Sequence, residues 1–189
     1  MTRPEQELDE LLQYYRWLRV YGYNDGHSGN ASMRIASAVW ITPTGACADT
    51  LASSEFIHCD TGGKIGPGAS LDAPLHLAVY RHNPDAGAVL HSHCPHAVAM
   101  TMAGGEFRPE DFEGRLYFPM VPVFDIPYEN YVAESPERIG MALAGHRIVI
   151  SRGHGVYAWG ETLNQAYKWT CSLEMSAKTA WLAGQAKTR

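Results

Sequence analysis

The densest cluster of metal-ligand chemistry in the chain is the stretch AVLHSHCPH, from Ala88 to His96. The run Ala88-Val89-Leu90 is apolar and partly β-branched, and Asp85 and Gly87 precede it, so it reads as a buried strand entered from a turn. His91 and His93 stand at its end. Side chains alternate faces along a strand, so this spacing puts both imidazoles on one face, about 7 Å apart at Cα. Two Nε2 atoms so placed can converge on one ion at about 2.0–2.1 Å each. Pro95 blocks the strand and suits the first turn of a helix, which sets the pair at a strand-to-helix corner. A His-x-His pair alone is more often an ordinary surface or capped pair than a metal site, and a third ligand is what changes that reading. That third histidine occurs in Ser151-Arg152-Gly153-His154-Gly155-Val156. Its flanking glycines carry no Cβ bulk, so the backbone can bend and the ring can approach an ion. Three histidines are the ligand count of an open catalytic zinc site.

The elements that must hold these residues follow from periodicity. Leu8, Leu11, Leu12, Tyr15 and Leu18 recur at helical spacing and predict a first helix ending near Gly22. A turn-rich loop, Asn24 to Asn30, feeds strands at Ala31–Ile35, Ala38–Thr42 and Phe56–Cys59. A helix is expected over Ala73–Arg81, then the histidine strand, then a helix over Pro95–Met102. Met120–Phe124 reads as a strand. Ser135-Pro136-Glu137 predicts a helix start, with Ser135 as N-cap and Pro136 at the first position. Strands at Arg147–Ser151 and Val156–Trp159 precede a last helix from Glu161 to Ala183. Helices interspersed among short strands predict a layered α/β domain with a central, largely antiparallel or mixed sheet. The strand order does not follow from these patterns.

Composition narrows the function classes. The 189 residues fit a single domain spanning 1–189. Hydrophobic residues at 46% and charged residues at 19% argue against disorder. A formal charge of −5 and no Lys/Arg cluster argue against a nucleic-acid partner, so an anionic substrate would need local donors. The N-terminal MTRPEQELDE lacks the apolar core of a signal peptide, and no apolar run approaches membrane-spanning length. Cys47, Cys59, Cys94 and Cys171 form no CxxC pair. A cytoplasmic protein with reduced thiols, and no membrane partner, is expected.

Taken together, SGN near the N-terminus, ITPTG, DAPLHLAVYRHNPDAGAVLHSHCPHA and SRGHGVYAWGETLNQA resemble the class II aldolase/adducin family, from about Leu8 to Ala183. The resemblance implies a single α/β/α domain around a mostly antiparallel sheet. It also implies a homotetramer with active sites between neighbouring subunits and a small-molecule substrate. Carried over by position, the metal ligands are His91, His93 and His154, holding zinc or another divalent cation such as Mn2+, Co2+ or Fe2+. Family enzymes act on sugar phosphates and related hydroxy-carbonyl compounds by aldol cleavage, epimerisation or dehydration. Their shared logic is an enediolate stabilised by the cation and an acid/base residue that moves the proton.

The resemblance also assigns further residues. Where the aldolases carry a Glu four positions before the His of the following helix, here His76, this chain has Asp72, as in the epimerase pattern. Asp72 can equally cap the helix opening at Ala73-Pro74. A phosphate cradle would use His27, Gly29 and Asn30, then Thr44 and Gly45, then Ser70, with Leu71 standing where relatives have a second hydroxyl. Glycine-rich loops that aim N–H groups at an anion suit that task. Glu113, six residues after Phe107, aligns with the dehydratase stretch that carries its catalytic Glu; Asp111 to Gly114 also reads as a solvated acidic turn. Tyr117 aligns with an aldolase tyrosine that reaches a neighbouring active site. His96 and His82 read as a helix-start contact and a surface residue. Aldol cleavage ranks first, dehydration second, and an adducin-like, non-enzymatic interaction module is the alternative of another class.

Overall fold

The computed structural model describes residues 3–187. Its first helix, α1 (Arg3–Val20), ends in a turn that aims the following loop at the site. Gly22 takes φ +74°. Its N–H donates to the Arg19 carbonyl (3.2 Å) and the Tyr23 N–H to the Leu18 carbonyl (2.9 Å), so the last carbonyls are satisfied in the six-to-one, five-to-two pattern that a left-handed residue permits. The chain then runs β1 (Asn30–Ile35), β2 (Ala38–Ile41), β3 (Ile57–Asp60), α2 (Ala73–His82) and β4 (Ala88–Ser92). After these come α3 (Pro95–Met100), β5 (Glu106–Phe107), α4 (Phe112–Tyr117), β6 (Val121–Phe124) and α5 (Tyr131–Gly145). The last elements are β7 (Ile148–Ser151), β8 (Gly155–Gly160) and α6 (Leu163–Lys187).

The strands form one sheet in the order β3-β2-β1-β4-β8-β7-β6-β5. Every pairing is antiparallel except β6 with β7, which α5 joins as a crossover. The expected mixed α/β architecture with a mostly antiparallel central sheet is therefore what the chain adopts. Both faces are covered. Val89, Val149 and Tyr157 pack against Leu75, Val79, Ile139 and Leu143 of α2 and α5. The alternate residues Ala88 and Leu90 meet α1 and α6, and Ile148, Ile150, Val156 and Ala158 meet α3 and α6. Strand alternation divides the core between the two helical layers. The four cysteines are free thiols. Among the described residues no helix is long and apolar enough to cross a membrane.

Three of the departures from expectation have a local physical cause. The helix expected to open at Ser135 opens at Tyr131, one short 3-10 turn after Pro127, and Pro136 lies inside it. Pro136 removes only the bond to the Val132 carbonyl, and Val132 is exposed, so water can take that partner's place. Ser135 is consequently a buried helical residue and not a cap. The acidic turn around Glu113 is a short helix, α4, because the Asp111 carboxylate accepts the Gly114 N–H (2.9 Å) and caps it. Helix α3 stops at Met100, two residues early, where the Thr101 hydroxyl bonds back to the Ala97 carbonyl (2.8 Å).

One buried polar chain runs between sheet and helix. His76 on α2 is wholly buried; its Nδ1 meets the Ser32 hydroxyl at 2.7 Å, and Ser32 meets the Tyr80 hydroxyl at 2.8 Å. Burial pushes the imidazole down to about 4, against an opposing pull from Asp72. The unfolded chain, with histidine near 6.5, thus binds a proton before the folded one does. Stability is fully present above pH ~6.5 and is lost as pH falls from there towards 4, by about 3 kcal/mol for this group. Urea unfolding of chelator-treated protein at pH 7.5 and 4.5 should show this loss. A His76→Leu variant should show a shallower pH dependence.

Candidate metal centre and cleft

His91 sits on β4 opposite Asn30 of β1 on one side and Tyr157 of β8 on the other. The three are cross-strand neighbours on one face of the sheet, the face covered by α2 and α5. The His91 ring stacks on Tyr157, with centroids 4.1 Å apart and planes 7° from parallel. Its Nδ1 lies 3.0 Å from the Val156 carbonyl. A carbonyl only accepts, so Nδ1 carries the proton and Nε2 presents a lone pair. That Nε2 lies 3.3 Å from Nε2 of His154.

His93 is one residue past the strand end and not on the ladder. Its N–H is shared by the Tyr23 carbonyl (3.0 Å) and the Asn24 side-chain oxygen (2.9 Å), so the loop after α1 aims this ring. Asn24 is a contributor that the sequence patterns did not single out; its place in a polar loop carried no signal of this bond. His154 hangs on the turn between β7 and β8. Gly155 lets that turn close on β4, because a Cβ there would lie 2.4 Å from the Ser92 carbonyl oxygen and 2.8 Å from Cε1 of His91. One ligand atom from each of His91, His93 and His154 lies within 4.8 Å of the others.

Burial depresses all three imidazoles. For His91, buried most deeply, Asp72 opposes the shift while His154 and His93 add to it, and the result lies well below the ordinary histidine value. Burial also dominates at His93, opposed by Asp25 and Asp72, and at His154, opposed by Asp72. Three neutral imidazoles with converging nitrogens form a donor set that fits a divalent cation.

Asp72 occupies the N-cap position of α2 but does not cap it. Its Oδ2 instead accepts from Asn30 Nδ2 and from the Tyr157 hydroxyl, each at 2.8 Å, and lies 3.9 Å from His91 Nε2. Burial would raise this carboxyl, yet His91 and the Asn30, His76 and Tyr157 groups outweigh burial and hold it below the usual carboxylate value. The helix-cap reading of Asp72 gives way because stronger donors face it from the sheet.

The three histidines and Asp72 line a cleft of about 990 Å³. His27, Gly29, Asn30, Thr44, Gly45 and Ser70 line it too, on the β1–β2 side. His27 is exposed, with Nδ1 3.3 Å from the Gly45 carbonyl. The Thr44 N–H is taken by the Gly68 carbonyl (2.9 Å), so Thr44 offers its hydroxyl and not its amide. Ser70 accepts the Asp72 N–H (3.3 Å) and keeps its own hydroxyl hydrogen. Glu113 and Tyr117 do not join them. Glu113 is exposed in the first turn of α4, and Tyr117 packs against Trp169 (5.5 Å) with Lys168 Nζ 4.2 Å over its ring. Of the histidines outside the cleft, His96 holds the buried Glu174 carboxylate through Nδ1 (2.6 Å) and its backbone N–H, and His82 pairs with Glu137 near the surface.

A family model, the class II aldolase and adducin N-terminal domain, matches residues 9–181. The chain belongs to the class II aldolase and adducin family. An L-fuculose phosphate aldolase of Methanococcus vannielii is 29% identical over 177 residues, covering 91% of this chain and 94% of that one. A probable methylthioribulose-1-phosphate dehydratase of Drosophila virilis is 28% identical over 192 residues, covering 85% and 83%. Among solved structures, the L-fuculose-1-phosphate aldolase of Thermus thermophilus superposes with a TM-score of 0.89 at 30% identity, covering 97% of each chain.

The geometry makes a specific demand on Gly155. Purified protein should carry about one divalent cation per chain by elemental analysis, and His91→Ala should carry little. Gly155→Ala, which pushes a methyl into the His91 ring and the β4 backbone, should fold but bind the cation at least about tenfold more weakly. Unchanged metal content in His91→Ala would remove the ion from these histidines.

Proposed function

We propose that this chain is a metal-dependent lyase, an aldolase that cleaves a small sugar phosphate or related hydroxy-carbonyl compound. The observation that carries the reading is the meeting, in one cleft, of three neutral histidines, a buried carboxylate and a row of hydroxyl and backbone donors. His91, His93 and His154 would hold a divalent cation, Zn2+ or another such as Mn2+, Co2+ or Fe2+. When bound, the cation supplies Lewis-acid stabilisation of the negative charge that develops on substrate oxygens as a C–C bond breaks.

The remaining work falls to the chain's own residues. Hydroxyls of Thr44 and Ser70, the loop at Gly29 and Gly45, and the His27 ring are suited to hold a phosphate on the β1–β2 side. Leu71, exposed at the cleft, offers no side-chain donor there. Asp72, held as a carboxylate by Asn30 and Tyr157, is placed to accept and return the proton. The fold relatives named for aldolase activity support cleavage as the first reading.

A relative named for dehydration, together with the HGVYAWGET stretch, favours a second reading, in which Glu113 is the acid/base residue. Glu113 and Tyr117 lie outside the cleft of their own chain, so either could act only across a junction with another copy. That fits the proposal of a homotetramer with sites between subunits. Exposed Phe112 and Leu116, four residues apart on α4, supply apolar surface for such a junction. An adducin-like interaction module has no physical need for the histidine cluster, which disfavours it. One domain over 1–189 and a cytoplasmic location complete the reading.

A retro-aldol and dehydration screen over ketose phosphates, run on metal-analysed protein, tests the reaction class. For cleavage, Asp72→Asn should lower turnover by about 10²–10⁴-fold while Glu113→Gln is nearly silent. For dehydration the order of the two should reverse. If neither matters with metal retained, both acid/base assignments fall. Light scattering at micromolar concentration should give a tetramer mass; a monomer would contradict the shared-site arrangement.

A further inference from the structure

The hydroxyl of Tyr157 is neither a metal ligand nor the group proposed to move the proton, yet it lies at the bottom of both sites. Tyr157 is wholly buried beneath the cleft and is not among the residues that line it. Its hydroxyl hydrogen goes to Asp72 Oδ2, which can only accept. Its one hydrogen being committed, the close contact with the Tyr131 hydroxyl has Tyr131 as the donor. The hydrogens of the tyrosine pair therefore all point towards the carboxylate.

We propose that Tyr157 is a positioning residue whose hydroxyl, with the Asn30 amide on the opposite side, fixes Asp72 beside the ion site, and that Tyr131 fixes Tyr157. The inference rests on the metal-site reading above, and concerns where Asp72 is held, not what proton it moves. Three observations support it. Both donors reach the same oxygen, Oδ2, which is also the carboxylate oxygen 3.9 Å from His91 Nε2, so the anchored oxygen is the one held beside the ion site. The anchors come from the two residues that flank His91 across the sheet, so carboxylate and ligand ring share one frame. The Tyr157 ring also stacks on His91 while Tyr131 meets His154 edge-on, centroids 4.8 Å apart, so the same pair braces two of the three imidazoles. Outer groups that orient a metal's ligands commonly change affinity by about 10–100-fold when removed.

Tyr157→Phe deletes the hydroxyl and keeps the stacked ring, which separates the hydrogen bond from packing. Protein stripped of metal with a chelator is titrated with Co2+, and its visible absorption is followed for wild type, Tyr157→Phe, Asp72→Asn and the double variant. Each single change is expected to weaken Co2+ binding about tenfold and to shift the spectrum in the same sense. The double variant should lose no more than the worse single one, because the two groups act as one unit. Unaltered affinity and spectrum in Tyr157→Phe, or losses that multiply in the double variant, would overturn the proposal. Should Tyr157→Phe fail to fold, Tyr131→Phe carries the same comparison, with a smaller loss expected and none overturning it. Coupled Co2+ losses with full turnover in Asp72→Asn would remove the acid/base role of Asp72 and support the positioning role. A wild type that takes up no Co2+ would overturn the metal reading and this inference together.

Discussion

The site depends on the register of three strands. Pairing β1, β4 and β8 sets Asn30, His91 and Tyr157 side by side on one face of the sheet. A slip of one residue in either pairing would send its partner's side chain to the opposite helical layer. That register is itself held by burial on both faces, since Val89 and Leu90, adjacent on β4, belong to different cores. The hydrophobic pattern that makes the fold thus also makes the row of polar groups under the cleft.

Above that row, α2 delivers the residue at its N-cap position, Asp72. An aspartate at a helix start ordinarily turns its carboxylate to the exposed N–H groups of its own helix. Here the sheet outcompetes the helix, because two donors at 2.8 Å, Asn30 Nδ2 and the Tyr157 hydroxyl, meet the carboxylate. The carboxylate is buried but not stranded, and the histidines around it are neutral through their own burial. A pocket that desolvates its ligands while keeping one anion is poised for a cation, since charge placed there is screened little by solvent.

The loops that complete the cleft are positioned by separate local devices. The left-handed Gly22 turns the chain after α1 so that Tyr23 and Asn24 receive the His93 N–H. The absence of a side chain at Gly155 lets the β7–β8 turn close until His154 approaches His91. Two of the three ligands therefore rely on backbone geometry outside any regular strand, and only His91 is fixed by the sheet itself.

Much of this was legible in the chain's residues. The amphipathic helices, the short strands and the three histidines follow from period, turn residues and ligand chemistry, all of which are local. The resemblance extended that to Asp72 and the cradle loops, because motifs keep their spacing when folds are shared. Pro136 misplaced a helix start, since a missing N–H near an exposed carbonyl costs less than a rule of position assumes. The glycine and aspartate around Glu113 concealed a capped helix for the same kind of reason: the cap was a contact three residues on. Strand order, the register of β4 against β8, and with it the partnership of Tyr157 with Asp72, 85 residues apart, were decided by tertiary structure alone. Which strands pair is settled by how two helical layers bury both faces of one sheet, a condition on the whole chain that no local stretch encodes.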